Sequence, residues 1–193
     1  MEEQKCDDSE IYFKIANTLH NNNPSSQSAR SMGIMAQNKK DYVKAAAFFK
    51  QALSLLEQEE DDENLDENAA NLELFLAKAY FGAGDFSSAR VHAKKAASHK
   101  SGWGEPYMLI GDMYVESIKK CTDETDGKLK TPYWVAVDMY KKAKSVDASV
   151  AGKASAQIAK YSQYFPAKSD AFFYNLTEGS DYTVGCWINE TTK

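Results

Sequence analysis

Three windows of the chain align at their turns: KKDYVKAAAFFKQAL (39–53), AGDFSSARVHAKKAA (83–97) and, after an insertion, TPYWVAVDMYKKAKS (131–145). Self-similarity of this kind restricts a fold more than any local propensity does. Units that repeat in one register must stack to bury faces that no single unit can cover. In the first two windows an Asp followed by an aromatic residue opens a helix, Asp41-Tyr42 and Asp85-Phe86. The Asp carboxylate accepts backbone N–H groups that the first helical turn leaves without partners. In the third window Thr131 is the expected cap, and Pro132 takes the first helical position, where no N–H is needed. Small residues follow at matching offsets: Ala45 and Ala52, Ala89 and Ala96, Ala136 and Ala143. Upstream of each window a further helix carries its own small contact residue, Gly33, Ala77 or Gly111.

These residues resemble the tetratricopeptide repeat, a helix–turn–helix unit of about 34 residues with a W-x2-L-G-x2-Y … A-x3-F … P pattern. Tyr107, Ile110, Gly111 and Tyr114 follow the first part in the third repeat, as do Leu76, Ala77 and Tyr80 in the second. Met32, Gly33 and Ala36 follow it more loosely in the first. Ala45, Phe49 and Ala52, then Ala89, Ala93 and Ala96, then Ala136, Tyr140 and Ala143 supply the second part. The chain departs from the pattern in lacking the closing Pro, in an acidic insertion between repeats one and two, and in a loop inserted at 119–131. The resemblance implies an all-α, right-handed α-α superhelix. Its repeats would span 26–59, 70–103 and 104–150, with a capping helix at 150–165. Before them, 1–24 reads as the second helix of a preceding partial repeat, with Ile11, Ile15 and Leu19 on one face and NNNP as its stop. On that reading the chain is expected to be a fragment, so the absence of a signal peptide carries no information about compartment, and the cell envelope stays open.

The last stretch, YTVGCWINET (182–191), speaks a different language. Tyr182, Val184, Cys186 and Ile188 alternate with Thr183, Gly185, Trp187 and Asn189, which is strand periodicity. A Cys directly before a Trp raises the question of a cysteine nucleophile. A papain-like site needs its histidine far downstream, whereas His20, His92 and His99 all precede Cys186. The structural reading is a short helix plus a small β-cap at 166–193, with Phe172, Phe173, Tyr182, Val184 and Trp187 bringing apolar area onto the last helices. The tail is similar to that of a group of bacterial tetratricopeptide-repeat proteins. Ser149 and Ser169 are the expected caps of the two helices before it. Cys6, Cys121 and Cys186 are odd in number and widely spaced, and on spacing alone they describe neither a disulfide framework nor a metal site.

Charge and composition remove whole classes. With 193 residues and 43% apolar content the chain can bury a substantial core. No apolar run approaches the roughly 20 residues of a membrane span. The net charge is −5, but eight acids lie in 57–68 and leave the remainder weakly positive, so nothing suggests nucleic acid. That acidic run reads as a solvated connector whose last carboxylates sit by the N-terminus of the next helix. DETDG (123–127) has the acids and Gly of a calcium loop without its terminal Glu. His92 and His99 lack a third ligand for zinc, and the NLT and NET sequons are pattern only. No cofactor is expected.

In the resembled family the first helix of each repeat lines a concave groove. The resemblance places Arg30, Ile34 and Gln37 there from repeat one. Asn71, Leu74, Phe75, Lys78 and Phe81 come from repeat two, and Met108, Leu109 and Asp112 from repeat three. A chaperone-type carboxylate clamp of Lys, Asn and Arg does not fit, because only Arg30 is of that kind. An apolar centre with a mixed-charge rim suits an amphipathic helix or an extended apolar peptide. The expected function is a non-catalytic scaffold that binds a partner protein or peptide. A structural spacer whose groove the chain itself covers is the alternative, and a cysteine-dependent enzyme is a distant third.

Overall fold

The computed structural model describes residues 10–58, 64–121, 130–174, 176 and 179–193. Cys6, the middle of the acidic run, the calcium-like loop 123–127 and the Asn175 sequon lie outside them. The chain is mostly helical, with nine α-helices among the described residues and one C-terminal hairpin. It divides into two compact units, Met1–Lys100 and Ser101–Lys193.

The first unit holds α1 (Glu10–Asn22), α2 (Ser26–Asn38), α3 (Tyr42–Leu56), α4 (Leu65–Gly82) and α5 (Phe86–His99). Each helix packs on its chain neighbours, and α2 also touches α4, an arrangement consistent with an α-solenoid. Asp41 and Asp85 cap α3 and α5 as the sequence predicts, accepting from Lys44 N at 3.2 Å and Ser88 N at 3.1 Å. Just before them Lys40 (φ 59°) and Gly84 (φ 82°) take the left-handed conformation that turns the chain between paired helices. Ala29, Ala36, Ala45, Phe49, Ala52, Leu72, Leu76 and Ala79 form the buried centre. Small residues let the backbones approach, and Phe49 fills the space Gly33 leaves open. A Cβ at Gly33 would collide with the Phe49 ring. On α1, Ile15 and Leu19 are exposed.

The second unit holds α6 (Glu105–Ser117), α7 (Pro132–Val146), a 3-10 turn (Ala148–Val150), α8 (Ala151–Ser162), α9 (Lys168–Phe173), β1 (Tyr182–Val184) and β2 (Glu190–Thr192). Helix α7 packs on α6, on α8 and on β2. The Gly–aromatic contact recurs here, with Tyr140 occupying the place a Cβ on Gly111 would need. The left-handed residue before α7 is Lys130 (φ 54°). Ala154 of α8 is buried.

Several expectations are corrected. Thr131 is buried but makes no side-chain cap, because its own backbone is already helical (φ −59°, ψ −25°). Asp147, not Ser149, caps the segment before α8. Its carboxylate accepts from Ser149 N at 2.9 Å, from Ser149 Oγ at 2.6 Å and from Gly104 N at 2.9 Å. These bonds hold it below the usual carboxylate range. Ser169 lies inside α9, which has no side-chain cap. Phe172 and Phe173 cover nothing: they are 79% and 88% exposed.

The terminal alternation breaks into an antiparallel hairpin, pairing Tyr182 with Thr192 and Val184 with Glu190. Cys186 (φ 61°) and Asn189 (φ 45°) take left-handed conformations in its turn, so Cys186 is not a strand residue. Val184 and Ile188 are buried, and the Trp187 indole N–H donates to Ser117 Oγ at 2.8 Å. Cys186 is disulfide-bonded to Cys121, with Cα atoms 5.6 Å apart. The odd count concealed this pair, because spacing carries no information on a bond that tertiary folding makes.

Candidate functional site

The two helices that contribute groove candidates to the first unit are α2 and α4. Between them the Arg30 guanidinium lies 5.3 Å above the centroid of the Phe75 ring. Phe75 in turn stacks on Phe49 at 5.3 Å with an interplanar angle of 17°. The half-buried Phe75 ring thus meets the cation and the core ring Phe49, and the planar guanidinium lies over its face. Ile34 is half-buried against the same core. Two polar atoms there are buried without a hydrogen-bond partner among the described residues, Nε of Arg30 and Oε1 of Gln37. One is a donor and the other an acceptor.

The remaining α4 candidates divide. Asn71 and Lys78 are half-buried, whereas Leu74 is buried in the interior. The Phe81 ring sits 5.4 Å from Phe86 at the start of α5, tilted by 55°. Around the other side of α4, Glu73 is buried, with His92 Nδ1 2.5 Å from one carboxylate oxygen and Lys95 Nζ 3.7 Å from the other. The His92 ring stacks on Tyr80 at 5.3 Å. His99 meets Asp66 at 3.2 Å and Lys100 meets Glu67 at 2.7 Å. These contacts tie the start of α4 to the end of α5, and the Lys100 ammonium lowers the Glu67 carboxyl. Among the described residues no group of three or more His, Cys, Asp or Glu side chains could hold a metal.

In the second unit Met108 is half-buried and Leu109 buried. Asp112 accepts a 2.7 Å hydrogen bond from the Tyr140 hydroxyl. Burial raises the Asp112 carboxyl above its ordinary value, the Tyr140 hydrogen bond opposes that rise, and Glu116 adds to it. Burial and the neighbouring carboxyl push the Tyr140 phenol up in turn, so it stays a donor. Sequence reasoning missed what adjoins this pair. Tyr140 stacks near Tyr161 at 6.0 Å, Tyr161 on Tyr133 at 5.2 Å, and Tyr133 on Tyr164 at 5.0 Å. The aromatic spacing within α7 and α8 was the available signal. The repeat pattern itself assigns only Tyr140 a role.

No protein-family model matches the chain, and no curated protein matches its sequence. Among the described residues no helix is long and apolar enough to cross a membrane.

Proposed function

We propose that this chain is a tetratricopeptide-type α-solenoid that binds an extended peptide segment of a partner protein on the α2–α4 face of its first unit. The α6 face with Met108 and Asp112 would play the corresponding part in the second unit. The observation that carries the repeat reading is a recurring packing motif. Gly33 against Phe49 and Gly111 against Tyr140 are the same contact, each preceding a turn with a left-handed residue, Lys40 or Lys130. Ala77 and Ala93, at the corresponding places of the middle pair, are both buried, and Gly84 supplies its turn.

The binding reading rests on the orphaned donor and acceptor. Buried polar groups left unpaired are costly, and an extended backbone offers a carbonyl for Arg30 Nε and an N–H for Gln37 Oε1 once these side chains turn outward to meet it. Phe75, beneath the Arg30 guanidinium, supplies apolar contact. Selection from a displayed library of random peptides should therefore yield binders whose affinity falls at least tenfold in an Arg30→Ala, Gln37→Ala variant that keeps its helical circular dichroism. A library that yields no binders, or binders indifferent to both substitutions, would leave the spacer reading in place.

A further inference from the structure

The C-terminal hairpin is too small to hold itself, since its strands are three residues each and an isolated two-stranded hairpin is marginal in water. What fixes it to the second unit is a short set of contacts. Val184 and Ile188 are buried. The Trp187 ring lies 5.7 Å from Tyr114 and its N–H reaches Ser117. Thr192 Oγ1 donates to Asp138 at 2.5 Å, and the Tyr114 hydroxyl donates to Glu190 at 3.3 Å. The polar contacts each contribute little net, because water replaces them on release. Val184, Ile188 and the Trp187 ring supply the apolar anchorage, and the covalent link has two unlike ends. Cys121, just beyond α6, is 1% exposed, while Cys186 lies exposed in the hairpin turn.

We propose that the Cys121–Cys186 disulfide is a redox clasp, opened by a dithiol reductant at Cys186, and that opening it releases the hairpin from α6 and α7. The chemistry follows from the asymmetry. An attacking thiolate bonds to the Cys186 sulfur, the Cys121–Cys186 bond breaks, and its electron pair goes to the Cys121 sulfur, which takes a proton from water. The second thiol of the dithiol then displaces Cys186 from the mixed disulfide, and the reductant leaves as a disulfide. Two electrons pass to the chain. Attack goes to the Cys186 sulfur because that end is accessible, and since Cys121 departs into an interior that stabilises a thiolate poorly, exchange with a small dithiol is slow but proceeds in the folded chain. Release uncovers Tyr114, Ser117 and Asp138, and also Trp134, whose ring lies 5.6 Å from Tyr182.

The test uses the full chain in native buffer, with and without dithiothreitol, read by hydrogen exchange and by site-resolved alkylation. Reduction should label Cys186 ahead of Cys121 and speed exchange at residues 182–192 at least tenfold. Amides of α7 and α8 should stay protected and exchange far more slowly than those of the released hairpin, losing only what the weaker unit loses overall, and reoxidation should restore the hairpin. A Cys121→Ala, Cys186→Ala variant should match the reduced chain. Two outcomes overturn the proposal: a disulfide that resists dithiothreitol until the helices unfold, or a hairpin equally protected in both redox states.

Discussion

A Cβ built on Gly111 would stand 2.5 Å from Cε1 of Tyr140, inside any tolerable carbon–carbon contact. Tyr140 cannot retreat, because its hydroxyl is bonded to Asp112 and the residue is buried. Gly111→Ala should therefore cost about 1–3 kcal/mol by overpacking, measured as a lower urea midpoint with an unchanged slope. Ala89, also fully buried, should respond likewise to Leu. Asp112 makes a second residue-level prediction. Its folded pKa is raised, so the stability it contributes is fully present below the ordinary carboxylate value and is lost as pH rises through the raised one. Asp112→Asn keeps an acceptor for Tyr140 but does not titrate. Between about pH 3 and 6, the parent's melting temperature should fall relative to the variant's as pH rises. Parallel curves would show that the carboxyl is not held up by burial.

At the scale of elements, the sequence pattern makes α9 and the hairpin one cap, and the structure separates them into two things. Phe172 and Phe173 are exposed, so changing both to Ser should alter stability by only about 0.5 kcal/mol and reduce aggregation. Thermal melting with light scattering checks both. The hairpin is where crosslinking matters. The bonded cysteines are 65 residues apart in sequence, and in the chain-entropy picture a loop of that size corresponds to about 4 kcal/mol of stabilisation. Cys186→Ser should cost a large part of that in denaturant titrations of the oxidised protein, where an isolated thiol would have been nearly silent. The burial of Val184 is legible in the sequence, whereas that of Ile188, which lies in the turn, is not. Nor is the reversal at Cys186, because nothing in a lone Cys announces a left-handed backbone.

For the whole molecule, periodicity revealed the helices, their pairing and two of their caps, because Asp-aromatic starts and seven-residue Ala spacing act locally. Disulfide pairing, the Asp147 cap that reaches back to Gly104 and the tyrosine stack depend on residues far apart in sequence, which no local pattern encodes. The same distinction governs how the chain should unfold. Helices pack on their chain neighbours within each unit, and stability in such arrays is close to a sum of unit and nearest-neighbour terms. Gly33→Ala drives a methyl into Phe49, at the centre of the first unit's core. Its effect should be felt in α2, α3 and α4 and should die away before α7 and α8. Hydrogen exchange on the oxidised chain decides this. Protection in α2–α4 should drop by roughly the loss of 1–3 kcal/mol expected of overpacking, while the slowest amides of α7 and α8 keep their rates. An equal loss at every slow amide would mean that the two units open together, and the repeat description of the fold's energetics would then be wrong.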